Sequence, residues 1–400
     1  MPTTVAIDQI PTPASSPVEV VERKGLGHPD TLADALAERM SVAYARHTRE
    51  QYGAALHHNL DKLWIQGGHA RTGLGEFEMT APTRVVIGGR ASSSFADTPI
   101  DYRGLFEQVA RDYFATVLPH FDAERWLTFE HATTDRSRYP TWFKPRDLGD
   151  LPELTEPVGS DTVAVTAWWP NTPTEQLVLA LERHLNQEGA GPLHPHVGQD
   201  VKVMAVRRGP RIDVVVNAAI HPDTARTAAL YDEVLADLTE ELAEVAAKTV
   251  PDHLDTALRV NTQSSNPHQA KRHYLLGSGT CLEFGEEGFV GRGNGASGLI
   301  PVHRPKSVEA VFGKNPTYHS GKVYTLYAEQ IARRVHDECA VAASVTIVSG
   351  NSDPLREPAH AAVTVDGPCD TAQVQAITRD VLAHADHLAL AIDDGLLIPR

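Results

Sequence analysis

"VKVMAVRRGPRIDVVVNAAI", residues 201–220, alternates apolar and polar positions on either side of a glycine-proline turn. Val201, Val203 and Ala205 share one face, Arg208-Gly209-Pro210 reverses the chain, and Ile212, Val214 and Val216 resume that face. A period of two broken by a tight turn predicts a β-hairpin, hence an antiparallel sheet. The segment that follows, "TARTAALYDEVLADLTEELAEVAA" (224–247), carries Leu230, Val234, Leu238, Leu242 and Val245 on one helical stripe, so it should lie on a sheet. "ECAVAASVTIVSG" (338–350) and "HAAVTVDG" (360–367) read as another strand pair, with the helix candidate "TAQVQAITRDVLAHAD" (371–386) behind them. Hairpins followed by long helices, recurring about every 130 residues, predict an α+β fold with the helices on one sheet face.

Further helices are predicted over 104–118, 172–185 and 322–338. In the second, Thr172 precedes Glu175 by three residues with Pro173 between, a capping box with proline in the first turn. Residues 1–20, rich in Pro, Ser and Thr, read as a flexible N-terminal arm. The rest divides into units of about 21–150, 151–255 and 256–400, interleaved in space.

With 400 residues, 42% of them hydrophobic and 22% charged, the chain is long enough for two or three buried cores. It has no stretch long enough for a membrane span and no signal-peptide pattern at its start, so a cytoplasmic protein is expected. A formal charge of −16 repels nucleic acid and anionic lipid, which argues against both as partners. Three scattered cysteines, Cys281, Cys339 and Cys369, suggest buried thiols and no disulfide framework.

Chemistry concentrates in two regions. "VERKGLGHPDTLADALAERM" (21–40) sets glycines, His28 and Asp30 in front of a helix whose apolar stripe is Leu32, Leu36, Met40 and Ala43, with Asp30 or Thr31 as the cap. Free backbone N–H groups and the helix dipole favour an anion there. Residues 279–324 hold Arg292, Arg304, Lys306, Lys314 and Lys322 on glycine-rich loops beside Glu286 and Glu287, an arrangement that lets cations approach phosphate oxygens. Gly293-x-Gly295-x-x-Gly298 imitates a dinucleotide fingerprint but leads into "LIPVHRP", which is no helix. Asp200 beside Lys202 is what a Mg²⁺–nucleotide site needs. His57-His58 and His194-Pro195-His196 lack the partner spacing of a zinc site.

Taken in order, "KGLGHPDT", "HHNLDK", "PTRVVIGGRA", Asp161-Thr162, "GQDVKVM", "VNTQ", "GTCLEFGEEGFVGRGN", "GLIPVHRPKSVEA" and "GKNPTYHSGKVY" resemble the archaeal-type S-adenosylmethionine synthetases from about residue 21 to 330. The resemblance implies three similar α+β domains about a pseudo-threefold axis, with sheets packed across a homodimer, or a dimer of dimers, and active sites in that interface. It implies attack of the L-methionine sulfur on C5′ of ATP and hydrolysis of the tripolyphosphate released, assisted by Mg²⁺ and K⁺. His28 would donate to the leaving phosphate, Asp30 and Asp200 would hold Mg²⁺, and Lys202, Arg292 and Lys314 would grip phosphates with Lys322 as a fourth. Lys24, Gly27, Lys62, Arg304 and Lys306 would complete the ATP contacts, and Asp161 and Glu286 would face the nucleoside and amino acid.

Several positions depart from the family text. Glu286 stands where Asp is usual, and one extra methylene matters where reacting atoms must lie within about 3–3.5 Å. Gly295 replaces an arginine, Gln199 an acid and Lys306 a methionine, "NTQSS" lacks acids, and Trp168-Trp169 stand where small residues and a tyrosine are usual. Three readings follow: a methionine adenosyltransferase, a specialised adenosyltransferase for another thioether or thiol, or a catalytically weak nucleotide-binding paralogue.

Overall fold

The computed structural model describes residues 3–186, 194–261, 273–307 and 309–399. The predicted hairpin is formed by β12 (Val197–Arg208) and β13 (Arg211–Ile220), with Gly209 in the left-handed region at φ +57° where the chain reverses. It is the middle of a five-stranded sheet ordered β14-β13-β12-β2-β16, in which β14 is Asp255–Val260, β2 is Val18–Lys24 and β16 is Ile300–Pro301. Val201, Val203, Ala205, Ile212, Val214 and Val216 all lie in the core beneath α4 (Pro173–Asn186) and α5 (Ala228–Thr249). The capping box of α4 closes as predicted: the Thr172 N–H donates to Glu175 Oε2 (2.8 Å) and the Glu175 N–H to Thr172 Oγ1 (3.1 Å).

The stripe of α5 is rotated from the predicted one. Tyr231, Leu238, Leu242 and Ala246 are buried, whereas Leu230 is 40% exposed and Val234 and Val245 are half-buried. The cause is Tyr231, whose hydroxyl accepts from Asn261 Nδ2 and from the Tyr274 N–H, each at 3.1 Å, so its ring turns inward.

Two other sheets repeat the scheme. One is ordered β10-β7-β4-β15 with β3 beside β7; its strands are Leu127–Thr134, Thr83–Ala91, Trp64–Gln66, Glu287–Phe289 and His58–Asn59 respectively. Its core packs α1 (Pro29–Tyr52), α2 (Tyr102–Val117) and the short α3 (Ala123–Trp126). The other is ordered β1-β18-β17-β11, with β1 Thr4–Gln9, β11 Val163–Trp169, β17 Ala342–Ser349 and β18 His360–Asp366, under α6 (Ser320–Cys339) and α7 (Thr371–His384). Two ribbons, β5-β6 (His69–Gly73, Glu76–Ala81) and β8-β9 (Ser94–Phe95, Thr98–Pro99), complete the strands.

Each sheet draws strands from distant segments of the chain. The arm also needs correction: β1 pairs in parallel with β18 from Thr4↔His360 to Gln9↔Val365, and Ile7 packs on that core. The three cysteines are free but half-buried. No helix among the described residues is long and apolar enough to cross a membrane.

Charged residues also knit the interior. Lys322 on α6 and Glu38 on α1 form an ion pair at 2.8 Å with both side chains 0% exposed. Lys322 therefore joins two of the three sheet cores, and burial pulls its pKa below the ordinary lysine value against the pull of Glu38. Removing one partner leaves a buried uncompensated charge. Lys322→Met should cost about 3–5 kcal/mol, and adding Glu38→Leu should recover part of it, since the Gly313 amide then loses its acceptor. Urea unfolding measures both, and a single variant as stable as the parent would contradict the assignment.

Candidate active site

The sequence-predicted site residues fall into two groups. The first grows from the edge between β2 and β12, where Lys24 and Lys202 are directly paired. Two residues earlier on the same face, Glu22 bonds Lys202 Nζ at 2.9 Å. Beyond Lys24 the chain follows β12 closely: the Gly25 N–H donates to Val201 O (2.6 Å) and the Gly27 N–H to Gln199 O (2.9 Å). A Cβ at Gly27 would meet the Gln199 carbonyl carbon at 2.6 Å and the Asp200 nitrogen at 2.8 Å, so only glycine permits this approach.

The approach delivers His28 to the start of α1, where it, and not Asp30 or Thr31, is the cap: Nδ1 accepts from the Asp30 N–H at 3.2 Å. Accepting at Nδ1 leaves the proton on Nε2, so the neutral ring offers one donor. Burial first, then the Lys24 charge, pushes the His28 pKa down to about 4. Asp30 accepts from Lys24 Nζ (2.8 Å) and from the Phe289 N–H (3.1 Å), and Lys24 Nζ also donates to Arg292 O (2.7 Å). The exposed Arg292 side chain thus leaves a loop sewn to α1 and β2.

Asp200 lies in the wall of this region and accepts from the Cys281 N–H at 2.9 Å. Burial raises its pKa to about 7, with Glu286 adding to the rise. A carboxylate that is costly to ionise beside a second acid fits a cation-binding role, since a bound cation would remove that cost. Asp30 already has the Lys24 ammonium as counterion.

The second group lines a cleft of about 790 Å³ that includes Asp61, Lys62, Arg90, Asp161, Lys314 and His319. Lys314 is the centre: its Nζ bonds Glu309 (2.5 Å) and Asp61 (3.0 Å). Burial works against that ammonium, but the two carboxylates outweigh it and hold the pKa above the ordinary value. His319 stands 3.8 Å from Asp161, and burial together with Lys314 pushes it down to about 3. Asp161, Glu309 and His319 are the one group among the described residues whose ligand atoms lie within 4.8 Å of one another. Asp61 belongs to the "HHNLDK" motif, where an acid beside a lysine already points to a Mg²⁺–nucleotide site, whereas Glu309 and His319 carry no such signal in the sequence.

Other predicted residues sit elsewhere. Arg304 is buried in a two-point pair with Glu175, the capping glutamate of α4 (2.9 and 2.8 Å). Lys306 is exposed and lines a small cavity. That cavity shares Trp168 and Gly295 with a larger one of about 400 Å³, which Trp169 also lines. The two indoles carry guanidinium groups, Arg304 at 5.0 Å over Trp168 and Arg333 at 3.8 Å over Trp169. Neither residue lines the Asp161 cleft. His57 and His58 are core histidines, bonded to Glu153 and to Ser41. The "VNTQ" motif beyond Asn261 lies outside the described residues.

His28 should stay neutral across the physiological range. Its imidazole resonances should show a midpoint near 4, and one near 6.5 would contradict the burial described. Because the folded value is the lower one, the group contributes stability present above pH 6.5 and lost as pH falls toward 4.

The profile of the S-adenosylmethionine synthetase (AdoMet synthetase) family matches residues 4–394. An S-adenosylmethionine synthase of Pyrobaculum neutrophilum is 34% identical over 358 residues, 88% of this chain and 87% of that protein. An uncharacterised protein of Streptococcus pyogenes serotype M3 is 31% identical over 375 residues, covering 92% and 90% respectively. Among solved structures, an unusual S-adenosylmethionine synthetase from Campylobacter jejuni shares the fold at a TM-score of 0.60 and 13% identity, over 94% of this chain and 88% of that one.

Proposed function

We propose that this chain, which belongs to the S-adenosylmethionine synthetase family, is a methionine adenosyltransferase that joins ATP and L-methionine and hydrolyses the tripolyphosphate released to diphosphate and phosphate. The observation that carries this reading is the cation set at the start of α1: Lys24, Lys202, Arg292 and a neutral His28 that caps the helix through Nδ1 and keeps its Nε2 proton to donate.

In the displacement, a sulfur lone pair forms the S–C5′ bond while the C5′–O bond breaks and its electron pair leaves on the triphosphate. No acid or base is needed at sulfur, so the protein's task is in-line alignment and stabilisation of charge on the leaving oxygen. His28 Nε2–H, Lys202 and Arg292 meet that charge, and Lys24 holds the Arg292 backbone. Asp200 and Asp30 would hold Mg²⁺, which when bound neutralises phosphate oxygens. Lys62 and Lys314 grip the phosphates from the second cleft, where Asp161 orients the nucleoside and amino acid.

The proposal includes a site completed by a second copy, in which the α1 group of one protomer faces the Lys314 cleft of its partner. A homodimer with sheets packed across its interface, about a pseudo-threefold arrangement in each protomer, belongs to this proposal. The reading with a different nucleophile draws its support from Glu286, exposed beside Asp200. The tryptophans do not support it, because they line a different cavity from Asp161.

Mass spectrometry with ATP, Mg²⁺, K⁺ and a panel of methionine, homocysteine and longer thioethers tests the reaction. S-adenosylmethionine should form efficiently, and product only with another nucleophile would transfer the proposal to that substrate. Arg292→Ala and Lys314→Ala should each lower turnover about 10²-fold or more while leaving the fold intact. Mixing and reassociating the two inactive variants should restore about a quarter of parental activity, since half of the random dimers are mixed and each has one intact site. Absence of any restoration would show that both residues serve the same protomer's site.

A further inference from the structure

Asp34 has no part in the chemistry proposed above, yet it is 1% exposed and carries a carboxyl that burial raises to about 7 against two backbone bonds. Those bonds are specific. Oδ1 accepts from the Gly291 N–H at 2.6 Å and Oδ2 from the Gly293 N–H at 3.1 Å, the residues on either side of Arg292. The Arg292 carbonyl is taken by Lys24 Nζ at 2.7 Å, and Asn294 closes the far side by exchanging bonds with the Lys24 backbone at 2.8 and 2.7 Å. One turn earlier on α1, Asp30 holds the Phe289 N–H. The exposed guanidinium therefore projects from a backbone fixed at each neighbouring amide, and Gly293 is buried where a Cβ would run into Asp34 Oδ2.

A turn rich in glycine loses much conformational freedom when ordered, and a long exposed arginine on such a turn would otherwise wander. A carboxylate accepting two flanking amides costs burial and returns orientation. We propose that Asp34 is a positioning residue for the adenosyl transfer, clamping the Gly291–Gly293 backbone so that Arg292 meets the charge on the departing triphosphate. The proposal rests on the reading that Arg292 serves the phosphate site.

The test is a double-mutant cycle on kcat with ATP and methionine. Asp34→Asn keeps size and removes the charge and one acceptor; it should lower kcat about 10- to 100-fold in the parental chain. In the Arg292→Ala background the same change should cost less than about twofold, because the group it positions is gone. Hydrogen exchange of the Gly291 and Gly293 amides should rise in Asp34→Asn while the melting curve keeps its shape. Gly293→Ala, which displaces the carboxylate without altering it, should show the same lack of additivity and carries the comparison should Asp34→Asn not accumulate folded. Equal losses in both backgrounds, or no loss in the parental one, would overturn the clamp. Full activity of Arg292→Ala alone would instead overturn the phosphate role on which it rests.

Discussion

Three carboxylates spaced four residues apart along α1, Asp30, Asp34 and Glu38, are buried together, and most of the architecture around the site answers to them. An ionised carboxylate out of water costs several kcal/mol unless its oxygens are bonded, so each fixes whatever satisfies it. Asp30 takes the Phe289 amide and Lys24, Asp34 takes the amides of Gly291 and Gly293, and Glu38 takes Lys322 and the Gly313 amide at 3.0 Å. The glycine amides among these donors come from the two loops that carry Arg292 and Lys314, and the Phe289 amide comes from β15 just before the first. One helix thus dictates where the cations of both groups leave the backbone. Because Lys322 belongs to α6, the same row also ties the first core to the third.

The fold was legible wherever the pattern was local. The 201–220 hairpin, the pair near the C-terminus, the predicted helices and the capping box of α4 all follow from period and turn chemistry over short windows. Pairing across long separations was not. β15 has three residues and β16 two, too short to carry a period, and each enters a sheet whose other members lie far off in sequence. β1 was hidden for another reason: its neighbours are Pro, Ser and Thr, and its partner lies more than 300 residues away. Such contacts become visible only once the sheets exist.

Site residues divide the same way. In sequence Arg292, Arg304, Lys314 and Lys322 are equivalent, each a cation on or beside a glycine-rich stretch. What separates them is the acid each meets. Arg304 is matched by Glu175, Lys322 by Glu38 and Lys314 by Asp61 and Glu309, all three cations buried, whereas Arg292 keeps its side chain exposed. One clue was present: Lys322 opens a helix pattern, and a cation in a first turn opposes the helix dipole, so it calls for a compensating acid. The identity of that acid, 284 residues away, was not readable.

Where the chain departs from its family text also acquires meaning from the structure. Trp168, Trp169, Gly295 and Lys306 are scattered in sequence but gather around adjoining cavities between the sheets. Gly295, at φ +72° with nothing near its missing Cβ, leaves open the space an arginine would fill, while the two indoles are covered by Arg304 and Arg333. Loss of a cation at one wall and gain of aromatic surface at another are therefore parts of one local exchange. The tryptophans, Gly295 and Lys306 lie outside the cleft that Asp161 lines, although Glu309 borders both that cleft and the smaller cavity. Glu286, a further departure, stands exposed where its charge adds to the burial that raises the Asp200 carboxyl, so its effect falls on the carboxylate wall and not on the aromatic cavity.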